Sequence, residues 1–191
     1  MSTVDTPSTP TTTEGAHRPV YQEEIVHRPG VRRLLAVARI VIGFTFLWAF
    51  LDKLLGLGFA TPSERAWIHG GSPTRGFLGH VTGPFSGLFS SLAGQTWVDW
   101  LFMLGLLGIG LAAVLGAGLK IAAWSGTLML LLMYLAQFPL GQPADMSVNN
   151  PIVDSHWHEA LLLLISAYTL AGDTWGLGRW WGRRVGNGPL R

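Results

Sequence analysis

The sequence predicts an all-α integral membrane protein whose helices form a four-helix bundle, and three observations support this fold class. First, four apolar segments approach the length of a membrane crossing, which requires about 20 mostly apolar residues. These segments run from Leu34 to Leu51, Trp97 to Leu119, Ile121 to Leu140 and Trp157 to Ala171. Second, 49% of the 191 residues are hydrophobic and only 13% are charged. A chain with so little polar surface is expected to place apolar side chains against lipid.

The third observation is the distribution of arginine and lysine, which predicts the orientation. Lys120 lies in the short turn between the second and third segments, and arginines flank the first and the last. The positive-inside rule therefore places both termini in the cytoplasm and the two longer loops outside it. Because the net charge is only +2, we interpret the basic residues as membrane flanks and expect no nucleic acid partner. The flanking arginines are Arg18, Arg28, Arg32, Arg33, Arg179, Arg183, Arg184 and Arg191.

The chain divides into three predicted regions. Residues 1–31 are rich in Ser, Thr and Pro and have no apolar period, so they are predicted to form a disordered cytoplasmic tail. Residues 32–181 form the predicted four-span membrane domain. Residues 182–191 are predicted to be a basic cytoplasmic tail.

The loop between the first two apolar segments carries its own helix signals. The run Thr61-Pro62-Ser63-Glu64 has the pattern of a capping box with proline at the first helical position. After Pro84, the apolar residues Phe85, Leu88, Phe89 and Leu92 recur at the spacing of one helix face. We therefore predict that the loop from about Gly56 to Thr96 contains short helices and forms an extracytoplasmic lid.

The second apolar segment contains small residues four positions apart, at Gly108, Ala112 and Gly116. Small residues at this spacing allow two helix backbones to approach closely in a membrane. The pattern predicts that this face packs against another helix of the same chain. Packing against a second copy, in a homo-oligomer, is the alternative.

The sequence contains no cysteine. This excludes disulfides, cysteine-ligated iron–sulfur clusters and thioether-linked haem. None of the six histidines lies in the first three segments, so a bis-histidine haem is not expected either. Any redox role has to use a different bound cofactor or a partner protein.

The start of the last segment holds the densest cluster of ionisable residues in the chain. Asp154 and His158 are four positions apart, and His156 and Glu159 are three apart, so either pair can share a helix face. Glu159 is the deepest carboxylate on the external side. Because an unpaired charge facing lipid is costly, these residues indicate a pocket inside the bundle.

The end of the first segment reaches the same predicted depth. Asp52 follows Arg33 by 19 positions, or about 29 Å at 1.5 Å per residue. If Arg33 marks the cytoplasmic boundary, Asp52 and Lys53 therefore lie at the external one, beside the start of the last segment. Arg39, deeper in the segment, is predicted to have a structural role and to extend toward lipid headgroups.

Three interpretations of these ionisable residues remain open from the sequence. The favoured one is a quinone or proton-handling site, in which a carboxylate in apolar surroundings exchanges protons with a ring oxygen. A metal site is less favoured because the spacing matches no recognised signature, and the third interpretation is purely structural. The residues predicted to act in catalysis are Glu159, His158 and Asp52. Those predicted to bind the cofactor are Lys53, Trp48, His156 and Asp154.

Three stretches of the sequence resemble the DoxX and DoxD family of small four-span membrane proteins: WAFLDKLLGLGFATPSERAWIHGGSPTRGFLG, LFMLGLLGIGLAAVLGAGLKIAA, and NNPIVDSHWHEALLLL with GDTWGLGRWW. The resemblance covers about residues 32–181 and is closest to actinobacterial members labelled as a thiosulfate:quinone oxidoreductase subunit. It implies oxidation of thiosulfate to tetrathionate, with electrons passed to a membrane quinone by two different subunits. Other members are linked to oxidative-stress complexes as membrane anchors, so a non-catalytic scaffold for soluble redox proteins is the implied alternative.

Overall fold

A computed structural model describes residues 18–81, 83–138, 150 and 152–191, and all regular structure within them is helical. The predicted all-α class is therefore confirmed. The α-helices are α1 (Gln22–Ile25), α2 (Pro29–Leu55), α3 (Arg75–Leu78), α4 (Ser86–Leu92), α5 (Thr96–Leu115), α6 (Leu119–Ala136), α7 (Ser155–Tyr168) and α8 (Gly178–Val185). Short 3₁₀ turns occur at Ser63–Arg65, Trp67–His69 and Ala171–Asp173.

Three of these helices, α2, α5 and α6, are long and apolar enough to cross a membrane. They correspond to the first three predicted segments, although the predicted end of the third, at Leu140, lies outside the described residues. The fourth segment forms α7, which has only 14 residues. This helix ends early because Leu170 adopts the left-handed conformation, with φ of 51°, immediately after the capping residue Thr169.

The long helices and α7 pack side by side, with α2 against α5, α5 against α6, α6 against α7, and α7 against α2. Glycine allows α2 and α5 to lie especially close. A Cβ atom at Gly110 would lie 2.7 Å from Cγ of Leu47, and one at Gly43 would lie 2.8 Å from the backbone nitrogen of Val114. Since Gly43 meets Val114 whereas the later residue Leu47 meets the earlier residue Gly110, the two helices are antiparallel. The core shared by the four packed helices includes Phe46, Met103, Leu106, Ile109 and Leu163.

The outer surfaces of the same helices are also apolar. Leu34, Phe44, Leu104, Leu128 and Leu161 are each more than half exposed. A water-facing protein rarely presents large contiguous apolar surfaces of this kind. The exposed leucines and aromatic residues are the side chains that a lipid environment would cover.

The predicted contact face on α5 is wrong at Gly108, and Gly116, which follows the helix, contacts the backbone of the turn Ala171–Asp173 and not that of a long helix. A Cβ atom at Gly108 would have no neighbour within 4 Å, whereas one at Gly116 would lie 2.7 Å from Cα of Gly172. The close contact with α2 is made instead by Gly110, which points to the other side of the helix. Gly108 and Ala112 line an open groove between α5 and α6.

Part of the predicted disordered tail is ordered within the described residues, and so is the predicted basic tail. Gln22 is fully buried in α1, and its backbone N–H donates to Oδ2 of Asp173 at 2.9 Å. Arg191 is buried as well, and its Nη2 lies 3.1 Å from the same Asp173 oxygen. The ordered helices therefore cross both predicted boundaries, since α2 begins at Pro29 and α8 continues to Val185. Contacts between opposite ends of the chain order these segments, and local composition does not reveal them.

An exposed ion pair also joins α1 to α8. Nη2 of Arg179 lies 2.6 Å from Oε1 of Glu23. A backbone hydrogen bond lowers the pKa of Glu23 from its usual value, and the interaction with Arg179 lowers it further. The lowered pKa means that ionised Glu23 stabilises the folded protein. This stabilisation is fully present above the carboxyl pKa of the unfolded chain and is lost as the pH falls through the lower pKa of the folded protein. Because both side chains are partly exposed, it is less than about 1 kcal/mol.

Candidate functional site

Asp52 closes the loop that follows α2. Its side chain is 1% exposed, and its two carboxylate oxygens accept hydrogen bonds from the backbone N–H groups of Phe59, at 3.2 Å, and Ala60, at 3.0 Å. Gly56 ends the helix in the left-handed conformation, which turns the chain back toward Asp52. The structure thus gives Asp52 a loop-closing role, and its predicted catalytic role stays a prediction.

The two other predicted residues of α2 contact aromatic rings. The Lys53 ammonium nitrogen lies 6.0 Å from the centroid of the Phe102 ring on α5. The Trp48 ring meets the Phe59 ring edge-on at 5.2 Å and lies 6.1 Å from the Phe44 ring. Lys53 therefore bridges two helices, while Trp48 packs against the loop that Asp52 closes. Cofactor binding by either residue stays a prediction.

A second polar group begins α7. Asp154 caps the helix, since Oδ1 accepts the backbone N–H of His156 at 3.0 Å. Its other oxygen, Oδ2, lies 2.6 Å from Nδ1 of the same histidine, which fixes the orientation of the imidazole ring. One turn further along, Glu159 is half-buried, and no described residue forms a hydrogen bond or ion pair with its carboxylate. His158 is exposed.

The predicted site residues therefore form two groups. Asp154 and His156 are in direct contact, with Glu159 one turn away. Asp52 is adjacent to Lys53 in the chain, but no hydrogen bond or ion pair between described residues joins either of them to the α7 group. Within the described part of the chain, no three His, Asp or Glu residues are arranged to hold a metal ion. A single pocket that contains both groups stays a prediction.

Sequence reasoning did not single out Asp99, which anchors the lid to α5. Asp99 is 6% exposed, and its Oδ1 accepts hydrogen bonds from three groups of the lid. These are the Ser72 hydroxyl at 2.9 Å, the Thr74 backbone N–H at 3.1 Å and the Thr74 hydroxyl at 2.5 Å. The available signal was a carboxylate in the first turn of an otherwise apolar helix, shortly after a loop that contains Ser and Thr.

Replacing Asp99 with alanine is expected to release the lid from α5. The loss of a charged acceptor leaves buried Thr74 donors without a partner, which should destabilise the protein by about 2–3 kcal/mol. Thermal unfolding in detergent measures the loss, and hydrogen exchange at residues 72–81 should accelerate. Glu64→Ala, which removes an exposed lid carboxylate, is the matched control. Equal exchange in the two variants would show that Asp99 does not anchor the lid.

Arg39 is the most deeply buried charged residue of α2, with no exposed surface. Its predicted extension toward lipid headgroups is wrong, because the guanidinium turns into the protein and donates only to backbone carbonyls. Two acceptors belong to the last turn of α5, where the helix dipole favours a cation, and the others belong to the turn after α7. The acceptors are the oxygens of Ala113, Val114 (2.7 Å), Ala171 (3.2 Å), Thr174 (3.4 Å) and Trp175 (3.0 Å).

The fold and its polar groups define a helical protein that has three helices able to cross a membrane and ionisable side chains gathered at helix ends. No protein-family model, curated protein or solved structure matches the chain.

Proposed function

We propose that this protein is a DoxX-like, multi-pass protein of the cell membrane that acts as a quinone-linked subunit of a redox enzyme. In this proposal α7 crosses the bilayer with α2, α5 and α6 as the fourth helix of a bundle, and the lid lies outside the cytoplasm. The packing of α7 against both α2 and α6 supports this arrangement. The resemblance to the DoxX and DoxD family supplies the substrate class, thiosulfate as donor and a membrane quinone as acceptor.

The single observation that carries the proposal is the half-buried carboxylate of Glu159, which has no hydrogen-bond or ion-pair partner among the described residues and lies one turn from the Asp154–His156 pair. Reduction of a quinone to a quinol takes two electrons and two protons, and joining two thiosulfate ions into tetrathionate releases two electrons. A carboxylate beside a histidine can supply protons to the quinone oxygens, while exposed His158 provides exchange with water. Glu159 is thus assigned to proton delivery.

A second subunit is part of the proposal because the chain has no cysteine with which to accept electrons from a sulfur compound. The partner would receive thiosulfate and pass electrons toward the quinone. The lid offers a fixed surface for this contact, since Asp99 ties it to α5 and Asp52 holds its first residues.

The test is thiosulfate-dependent reduction of a quinone analogue by membranes that do or do not contain the protein. The proposal predicts that the activity requires this chain together with the partner subunit. Equal activity in membranes that lack the chain would contradict it. Bound quinone in a lipid extract of the purified protein would give independent support.

A non-catalytic scaffold is the second candidate, and the use of buried carboxylates as structural ties favours it. Asp52, Asp99 and Asp173 each accept backbone hydrogen bonds that hold loops or chain ends in place. A protein of this kind would present rigid surfaces to soluble redox proteins. Co-purification of such proteins without quinone would support the scaffold and contradict the enzyme subunit.

The proposed topology predicts which introduced cysteines react in intact cells. Ser72 is a poor reporter position because its hydroxyl donates to Asp99, so exposed Ser90 of α4 is preferable. An impermeant thiol reagent should label Ser90→Cys in intact cells and Ser8→Cys only after lysis. The reverse pattern would show that the lid is cytoplasmic. The natural absence of cysteine removes background labelling.

A further inference from the structure

An open groove of about 370 Å³ lies between α5 and α6, near the turn that joins them. Its lining is almost entirely apolar, and it is wide because glycine and alanine occupy positions where other helix surfaces carry leucine. At Gly108, a Cβ atom would have no neighbour within 4 Å, so the protein itself leaves this space unfilled. Residues that line it include Gly105, Gly108, Ala112, Ile121, Ser125 and Trp181.

The amphipathic helix α8 borders the groove through Trp181, whose indole N–H donates to the Leu190 carbonyl at 2.6 Å. The Trp180 ring lies 6.1 Å from the Trp181 ring, and the Arg184 guanidinium lies over Trp180 at 4.2 Å. A chain of direct contacts therefore leads from the apolar groove to a cation. A short helix with tryptophan and arginine is typical of the headgroup level of a bilayer.

Two exposed arginines of α8, the helix that borders the groove, have no acidic partner among the described residues. Glu23 pairs with Arg179, Glu24 pairs with Arg18, and Asp173 pairs with Arg191, so the acidic side chains on α1 and around α8 already have partners. In contrast, Arg183 and Arg184 are exposed and form no ion pair with a described residue. An apolar groove therefore lies beside a helix that carries two exposed arginines, and this combination complements an amphipathic anion.

We propose that this groove binds an acyl chain of an anionic phospholipid whose phosphate lies against Arg183 and Arg184. The inference depends on the membrane location proposed above but not on quinone chemistry. Small residues admit the acyl chain, Trp181 marks the depth at which it meets the glycerol, and the two guanidinium groups bind the phosphate.

Native mass spectrometry of the detergent-purified protein tests this directly. The protein is incubated with equal amounts of phosphatidylglycerol and phosphatidylcholine that carry identical acyl chains. Each arginine near the headgroup favours an anionic lipid. The wild type should therefore retain at least about tenfold more phosphatidylglycerol than phosphatidylcholine. The double variant R183Q/R184Q should lose this preference, while R28Q/R33Q, which removes two exposed arginines of the α1–α2 region, should keep it.

A second pair of variants tests the groove itself. Gly108→Leu should fill it and abolish retention of either lipid, whereas Gly87→Leu, at another open position on the lid, should retain phosphatidylglycerol. If Gly108→Leu does not fold, the arginine variants still decide the proposal. Equal retention of the two lipids by the wild type would overturn it.

Two other occupants of the groove give distinguishable results. A dimer that Gly108→Leu converts to a monomer would show that a second copy fills the groove, and would overturn lipid binding. Displacement of the lipid by a long-chain quinone, equal in the wild type and in R183Q/R184Q, would also overturn it. Lipid retention is measured without thiosulfate or enzyme turnover, so its outcome is independent of the proposed redox function.

Discussion

Replacing Arg39 with leucine is expected to destabilise the protein by about 3–5 kcal/mol. The guanidinium satisfies carbonyl groups at the end of α5 and in the turn after α7, and it lies where no water can replace it. Leucine fills most of the volume but leaves these acceptors unpaired. Thermal unfolding in detergent, followed by circular dichroism, measures the effect. Among single arginine replacements, Arg39→Leu should lower the unfolding temperature most.

Two further variants show whether the hydrogen bonds or the charge stabilise this region. Arg39→Lys keeps the charge but cannot reach carbonyls on two separate segments. It should therefore restore only part of the stability that Arg39→Leu loses. Arg33→Leu, at an exposed position of the same helix, is the matched control and should change the unfolding temperature little. Similar decreases for Arg33→Leu and Arg39→Leu would contradict a specific role for the buried guanidinium.

Replacing Glu159 with glutamine is expected to abolish quinone-linked activity without reducing the amount of folded protein. Glutamine keeps the shape of glutamate but removes the ionisable proton, and the described residues provide no ion pair to the carboxylate that would be lost. A proton-delivering group typically contributes a factor of about 10²–10⁴ to a rate. Thiosulfate-dependent reduction of a quinone analogue measures the effect.

Glu64→Gln on the lid is the matched control because it makes the same chemical change at an exposed position, and it should retain full activity. His158→Gln should give an intermediate rate if this histidine exchanges protons with water. Full activity in Glu159→Gln would contradict proton delivery by this residue. Loss of folded protein in that variant would instead indicate a structural role.

The sequence predicts the helices well because their signals are local. The apolar runs locate α2, α5 and α6, although α2 begins at Pro29, within the predicted disordered tail, and continues to Leu55, beyond the predicted end at Leu51. The apolar residues after Pro84 form α4. The capping box at Thr61 does not form, and this segment makes two 3₁₀ turns. Loop closure by Asp52 explains the difference, since it holds Phe59 and Ala60 immediately before the turns begin.

Helix rotation was harder to predict than helix position. Gly108 and Gly110 differ by two residues, or about 200° around a helix, so they face nearly opposite directions. A helix that is apolar on all sides has no polar stripe that identifies its inner face. The sequence therefore identified glycine as important in α5 but selected the wrong face at Gly108.

The polar contacts between distant parts of the chain were not predictable for a related reason. Counting residues along a helix placed Asp52 and Asp154 near helix ends, where the structure has them, while their depth in the membrane stays a prediction. Depth does not reveal which neighbour lies beside a residue. The partners of Asp99 and Asp173 belong to loops or chain ends, and those of Arg39 belong to the last turn of α5 and the turn after α7, so all of them depend on the completed packing.

The short length of α7 has a consequence for the bilayer itself. Its 14 residues span about 21 Å, whereas the hydrocarbon core of a membrane is about 30 Å thick. If α7 crosses the membrane, the lipids that surround it have to shorten or tilt. This costs a fraction of a kcal/mol for each ångström by which the helix is shorter than the hydrocarbon core. A second protein that covers the lipid-facing side of α7 would relieve this elastic strain. Membrane deformation alone thus favours recruitment of a neighbour to α7, without any specific side-chain contact.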